Sequence, residues 1–366
     1  MTARRVAVAP RRDVALMAGY HSPQLDVAVR LNTNEAPEPP PAGFVDELQE
    51  ELAKLALNRY PDRAATELRR SIARHHGVEP EQVFAANGSN EVLQSLLLAY
   101  GGPRRCVAVF EPTYALHAHI AKVTGTAVVE GGRDAEFLLE AAEIDRVFER
   151  AAIISEERAP APVITFLCSP NNPTGRLEPE GVVEAVLERA PGLVVVDEAY
   201  GQFAPRSSLE LIGAFENLVV VRTFSKTWSL AGLRLGYAIA APEIIAAMER
   251  VVLPYHLDAF KQVAGRVALR YEDAMRARVA RLVDERARLI AGLKRLGCAL
   301  VPSDANFVLF SHPLRPGREL WERLVAASVL VRDVSGWPRL AGWLRVTVGT
   351  PEEDDRFLVA LEDALA

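Results

Sequence analysis

Between about residue 44 and residue 240, short β-branched apolar runs alternate with helical patterns, and this alternation constrains the fold more than any other feature. The runs are "CVAVF", "VITFLC", "LVVVD" and "LVVVR"; the helical stretches include "FVDELQEELAKLAL" and "GVVEAVLERA". A strand that is apolar at consecutive positions leaves neither face for water, which suits a parallel strand covered by helices on both sides. The chain therefore reads as α/β with a mostly parallel sheet. After residue 256 the texture changes. Residues 257–297 are helical and Arg-rich, and "ANFVLF", "VLVRDV" and "WLRVTVG" follow, which predicts a smaller α+β unit. The first 43 residues are irregular and end in the Pro-rich "NEAPEPPPAG", an extended crossing segment. The expected division is a large unit over 44–255, with 1–43 and 256–366 forming an N-terminal arm plus a small C-terminal unit.

At 366 residues and 49% hydrophobic composition, the chain has enough apolar material for two such units. A net charge of −6 with no long basic run argues against an electrostatically driven nucleic-acid binder. Any anionic ligand must then be held by local cations. Cys106, Cys168 and Cys298 sit in or beside apolar runs without metal-ligand spacing, and read as reduced core residues. "MTARRVAVAP" is too short in its apolar part for a signal peptide, and no apolar segment approaches ~20 residues, so the expectation is a soluble, cytoplasmic protein that binds no membrane.

Ligands of open α/β sheets bind beyond the carboxyl ends of the strands. Just past the four runs come "EPTY", "SPNNPTG", "EAYGQF" and "RTFSK", delivering Tyr114, Asn172, Asp197 with Tyr200, and Lys226 to one end of the sheet. Singly, Asp197 reads equally well as a helix cap, Tyr114 as a core-edge aromatic and Asn172 as a turn residue. Together they form a chemical set. A lysine in an environment that favours its neutral amine can form a Schiff base with an aldehyde. An aspartate can hold a protonated pyridine nitrogen, tyrosine and asparagine can hydrogen-bond a ring oxygen, and an aromatic ring can stack. This is the signature of a pyridoxal 5'-phosphate site. "AANGSNEVLQSLLLAY" supplies an anion cradle, Gly88 and Ser89 opening a helix with Ser89 as the expected N-cap. Thr223, Ser225 and Arg234 add hydroxyls and a guanidinium.

These residues resemble a known family. "SPNNPTG", "VVVDEAY", "SK" with "LAGLRLGY", and "ANGSNE" are similar to the fold-type I pyridoxal-phosphate aminotransferases over nearly the whole chain. "GYHSPQLDVAVRLNTNEAP", "NRYPDR", "VLPYHL", "PSDANFVLF" and "LVRDV…LRVTVGT" narrow the resemblance to the histidinol-phosphate aminotransferases, in particular the actinobacterial form. The resemblance implies a large domain with a seven-stranded sheet flanked by helices, and a transaminase converting L-histidinol phosphate and 2-oxoglutarate to imidazole-acetol phosphate and glutamate in histidine biosynthesis. It implies that Lys226 holds the cofactor and shuttles the proton, that Asp197 pairs with the pyridine nitrogen, that Tyr200 and Asn172 meet the ring oxygen and that Tyr114 stacks. Ser89, Asn90, Thr223, Ser225 and Arg234 would hold the cofactor phosphate. Tyr60 of "RYPD" would reach the phosphate in the neighbouring subunit, making the active protein a homodimer with shared sites. Arg345 would anchor the substrate's acidic group, with Arg332 and Tyr20 nearby. "YHSPQ" in place of "Y-x-P-G" and "NEAP" in place of "NENP" are departures that bear on substrate preference.

Other residues carry plainer readings. His75 and His76 precede Gly77 at a helix end and are expected to face solvent or cap. His117 and His119 cannot share one helical face, which argues against a metal site. Trp228 reads as packing. Tyr255 and His256 lie where the large unit gives way to the small one, and contact with the substrate's imidazole or hinge packing fits equally. Competing functions are an aromatic amino-acid aminotransferase, a threonine-phosphate decarboxylase, and a non-catalytic cofactor-binding regulator. The last conflicts with the presence of Lys226, Asp197, Asn172 and Arg234 together. A dinucleotide oxidoreductase lacks its G-x-G-x-x-G.

Overall fold

The computed structural model describes residues 8–17, 19, 23–155 and 160–366. Its strands are β1 (Val29–Leu31), β2 (Val83–Ala86), β3 (Cys106–Glu111), β4 (Ala127–Gly132), β5 (Ile164–Cys168), β6 (Leu193–Asp197), β7 (Leu218–Thr223), β8 (Gly236–Ala240), β9 (Ala299–Leu300), β10 (Phe307–Ser311), β11 (Val329–Asp333) and β12 (Leu344–Thr347). Seven of them form one sheet in the order β2-β8-β7-β6-β5-β3-β4. The four runs legible in the sequence are β3, β5, β6 and β7, which pair in parallel with their neighbours in that set, as does β4 with β3. Only β8 runs antiparallel, wedged between β2 and β7. The expectation of a mostly parallel sheet holds.

The apolar runs bury both faces because a strand turns successive side chains to opposite sides. Val195, Val219 and Val221 join Phe166 in a core beneath the helices Ser89–Tyr100 and Pro242–Val251, while Val194, Val196, Leu218 and Val220 join Leu167 in another beneath the helices Ala141–Ile154 and Val182–Arg189. The chain moves outward from β3 to β4, then crosses back to β5 on the other side of β3, so the sheet reverses direction between β3 and β5. A crevice opens at the carboxyl ends of such strands.

A second sheet has the order β1-β11-β12-β10-β9. The N-terminal strand β1 pairs in parallel with β11, Val29 opposite Val329, and the remaining pairs are antiparallel. Its core of Phe307, Phe310, Leu344 and Val346 is closed by the long helix Glu272–Arg295 and the C-terminal helix Pro351–Leu365. Among the described residues no helix is long and apolar enough to cross a membrane.

One plain reading is corrected. Gly77 does close the helix Thr66–His76 in a left-handed conformation, φ 67°. His75 and His76 nevertheless turn inward: His75 Nδ1 lies 3.0 Å from the Glu272 carboxylate, and His76 Nε2 lies 2.7 Å from the Tyr237 hydroxyl. Burial lowers the His76 pKa to about 2, so it is a neutral hydrogen-bonding group and no solvent-facing cap.

Candidate active site

The carboxyl ends of β5, β6 and β7 converge on a cavity of about 140 Å³. Its walls include Ser89, Asn90, Tyr114, Asn172, Asp197, Tyr200, Thr223, Ser225, Lys226, Arg234, Arg332 and Arg345. Thus twelve sequence-selected residues, dispersed over more than 250 positions of chain, face one space. Of the rest, Tyr60 and Tyr255 do not line this cavity: they stack on each other at the surface, ring centroids 4.4 Å apart, with Tyr60 80% exposed. Tyr20 lies outside the described residues.

Lys226 sits in the connection between β7 and the antiparallel β8, and its Nζ donates to the Thr33 carbonyl at 3.0 Å. Burial, and next the positive charge of Arg345, lower its pKa from 10.5 to about 7. The amine is therefore substantially neutral near physiological pH, the form in which nitrogen is nucleophilic or can accept a proton.

Asp197 ends β6, buried, with its carboxylate accepting from the Ala199 backbone N–H at 3.0 Å and facing His117 Nε2 at 3.2 Å. His117 is itself fully buried, its ring stacked on Phe166 at 4.8 Å and edge-on to Tyr114 at 5.4 Å. The sequence reading dismissed His117 by pairing it with His119. The informative spacing is instead with Tyr114, three residues earlier, which puts the two rings on one side of the chain at the start of the helix Leu116–Val123.

At the other rim, Asn172 accepts a hydrogen bond from Arg345, whose second terminal nitrogen donates to the Asn32 carbonyl at 2.9 Å. The Tyr200 hydroxyl accepts from Asn34 Nδ2 at 2.9 Å, and burial raises its pKa well above the ordinary phenol value. Asn32, Thr33 and Asn34 all line the cavity, yet the sequence reading gave them no role. They follow β1 directly, so the parallel pairing of β1 with β11 is what carries the N-terminal segment into the site.

The anion cradle differs in one detail from expectation. Gly88, not Ser89, occupies the N-cap of the helix Ser89–Tyr100, with φ 83°. A Cβ on Gly88 would lie 2.7 Å from the Arg234 guanidinium, so the missing side chain is what lets that cation lie over the helix start. Arg234 donates to the Ser225 hydroxyl at 3.3 Å, Ser225 meets Thr223 at 3.0 Å, and Tyr114 donates to Asn90 at 3.1 Å. Helix-end amides, two hydroxyls and a guanidinium thus gather in the cavity that Lys226 also lines, a donor set suited to a phosphate monoester.

The last feature is a pair of cations. Arg332 on β11 and Arg345 on β12 stand directly opposite each other in the antiparallel register, so both side chains leave the same face of the sheet and both reach the cavity. Among the described residues no group of His, Cys, Asp or Glu is placed to hold a metal ion.

Comparison with known proteins identifies the family. The family model described as aminotransferase class I and II matches residues 26–361. The chain is 45% identical to the histidinol-phosphate aminotransferase of Frankia casuarinae, covering 94% of this chain and 87% of that protein. It is 44% identical to the histidinol-phosphate aminotransferase of Corynebacterium diphtheriae, covering 96% and 95% respectively. Its fold is similar to that of histidinol-phosphate aminotransferase from Sinorhizobium meliloti, solved in complex with pyridoxal-5'-phosphate, with a TM-score of 0.81 at 22% identity over 93% of this chain and 91% of that one. On the family match and the identity to these relatives, the chain belongs to the class I and II aminotransferases.

Proposed function

We propose that this protein is a pyridoxal-phosphate-dependent transaminase that converts L-histidinol phosphate and 2-oxoglutarate to imidazole-acetol phosphate and L-glutamate. The observation that carries the substrate reading is the opposed pair Arg332–Arg345 in the same cavity as Lys226. Like charges directly opposite on a sheet repel, and a near-dianionic phosphate between them turns that repulsion into binding. Histidinol phosphate has no carboxylate, so its phosphate takes the place of one, and two guanidiniums suit the larger charge.

The residues fit the cofactor. The Gly88 helix start with Thr223, Ser225 and Arg234 would hold its phosphate, Tyr114 would lie against its ring, and Asp197 would pair with its nitrogen. Pyridoxal phosphate, when bound, supplies an aldehyde for an amine and a ring that accepts electrons from the substrate's α-carbon. Asp197 keeps a proton on the ring nitrogen, and His117 and the Ala199 N–H hold its carboxylate in place. Tyr200 and Asn172 address the ring oxygen, with Asn34 and Arg345 fixing their orientations. With the cofactor bound, the Lys226 amine would be the group that takes the proton from the substrate's α-carbon and gives it back. Its lowered pKa suits both directions of that transfer. Asp197, Tyr200 and Asn172 are buried, so their contacts with bound groups are made with little competition from bulk water.

Tyr60 and Tyr255 complete the reading as a homodimer. An aromatic pair at the surface, one member 80% exposed, is suited to reach a neighbouring subunit, where Tyr60 contacts the cofactor phosphate and Tyr255 the substrate. The division into a large domain over 44–255 and a small one from 1–43 and 256–366, and a cytoplasmic biosynthetic role, belong to the same proposal. The deciding experiment mixes the purified yellow protein with histidinol phosphate, phenylalanine or histidine and follows loss of the visible cofactor absorbance. The fastest loss with histidinol phosphate is expected. A preference for phenylalanine would replace this reading with an aromatic aminotransferase.

A further inference from the structure

The indole of Trp337 belongs to two cavities at once. It lines the inner cavity with Lys226, Arg332 and Arg345, and also an outer groove formed by Leu16, Met17, Leu116, His119 and Lys122. Among the described residues, Ala115, Arg332 and Trp337 are shared between the two. Ala115 is small, so among the described residues the long side chains common to both spaces are one guanidinium and one indole. These two are in contact, Arg332 lying over the Trp337 ring at 5.8 Å from its centroid. That distance is within the range in which a cation is attracted to an aromatic face.

Trp337 is held from behind. Its N–H bonds the Val334 carbonyl at 2.9 Å and its own carbonyl accepts from the Leu340 N–H at 3.2 Å, so the loop after β11 is a wound turn. Trp337 and Trp343 pack on a separate apolar cluster of Phe137, Val301, Leu309, Val334 and Leu340. Phe137 and Trp343 meet edge to face at 5.9 Å. Each guanidinium of the opposed pair thus has its own aromatic face, Arg345 over Phe307 at 5.1 Å and Arg332 over Trp337. Phe307 lies on β10, inside the sheet, whereas Trp337 lies on a loop with its own anchorage.

We propose that Trp337 is a specificity-determining residue: it holds Arg332 against Arg345 for a phosphate-bearing amine and closes the inner cavity against the outer groove. The inference rests on the substrate reading above, deepening it by naming the residue that shapes the anion end. A truncated side chain here would remove the aromatic face beneath Arg332 and widen the opening between the two spaces, so phosphate-bearing substrates lose affinity while bulky uncharged side chains gain room. Because the contact is made equally before and during the reaction, the loss falls on KM rather than kcat.

The test uses the cofactor-loaded protein and two variants, Trp337→Ala and Trp337→Phe. Trp337→Ala is expected to raise KM for histidinol phosphate on the order of tenfold with kcat within about twofold, and to leave or increase kcat/KM for phenylalanine. Trp337→Phe keeps an aromatic face and recovers most of the loss. Calorimetric titration with inorganic phosphate gives a readout free of turnover, in which Trp337→Ala weakens binding by a similar factor. The inference is overturned if wild-type protein converts histidinol phosphate while Trp337→Ala leaves both its KM and its phosphate affinity within about twofold, or if the alanine and phenylalanine variants lose both equally. If wild-type protein fails to turn over histidinol phosphate yet Trp337→Ala still weakens phosphate binding, the role of Trp337 stands and the substrate assignment falls.

Discussion

The protonation state of Lys226 can be tested before any turnover is measured. With a folded pKa of about 7 in place of 10.5, about nine-tenths of the amine is neutral at pH 8, against roughly three parts in a thousand for an ordinary lysine. The reactive form is thus enriched about 300-fold. The same shift has a stability consequence whose sign follows from linkage. Between pH 7 and 10.5 the unfolded chain holds a proton that the folded amine has released, so raising the pH across that window stabilises the cofactor-free protein. The burial cost is fully present below pH 7 and relieved above 10.5, and 3.5 pH units correspond to about 5 kcal/mol. Two measurements follow. Cofactor-free protein incubated with pyridoxal and cyanoborohydride, with modified Lys226 counted by mass spectrometry, should show a midpoint near pH 7. Arg345→Gln, which removes the second cause of the shift, should move that midpoint upward. In urea unfolding, cofactor-free Lys226→Met should be more stable than wild type at pH 7, and the gap should shrink as the pH rises toward 10. A capture midpoint above pH 9, or a stability gap that widens with pH, would refute the reasoning that burial sets the amine's charge.

The remaining predictions concern the partners of that lysine. Asp197→Ala should fold and retain cofactor but lose on the order of 10²–10³-fold in kcat, as expected when one preorganised charge is removed; normal turnover would reduce Asp197 to a turn residue. His117→Leu should lower kcat by a smaller factor, with its effect absent in the Asp197→Ala background, since His117 acts through that carboxylate. Arg332→Ala should cost about 1.5–3 kcal/mol in kcat/KM for histidinol phosphate and much less for phenylalanine, whereas Arg345→Ala should harm both; equal losses in the Arg332 variant would remove it from the phosphate site. Mixing Tyr60→Phe and Lys226→Ala subunits should restore activity in the hybrid carrying one intact site, and a fully active monomer would disprove the shared site.

The part of the site that could be read from residues alone consists of groups that follow their strands directly. Tyr114, Asn172, Asp197 and Lys226 each stand within a few residues of the end of an apolar run, and parallel strands bring such ends together whatever the loops do. The Gly88–Ser89 cradle was legible instead as the opening of a helical pattern, except that the side chain absent from Gly88 mattered more than the hydroxyl of Ser89. Strands β2, β4 and β8 were harder to see, since "VFAA", "AVVEGG" and "GYAIA" are short or rich in small residues and take their pairing from neighbours.

Local pattern therefore determined the α/β class, the mostly parallel sheet and the placing of Lys226 at a strand end beside the other candidate residues, because hydrophobic periodicity and strand-end chemistry are properties of adjacent residues. The tertiary structure alone decided that Asn32–Asn34 enter the site, that His117 rather than a cap holds Asp197, that Arg332 and Arg345 stand opposed, and that Trp337 divides two cavities. Each of these depends on register or packing between segments far apart in the chain. Such contacts are set by which strand pairs with which, and no stretch of sequence carries that choice by itself.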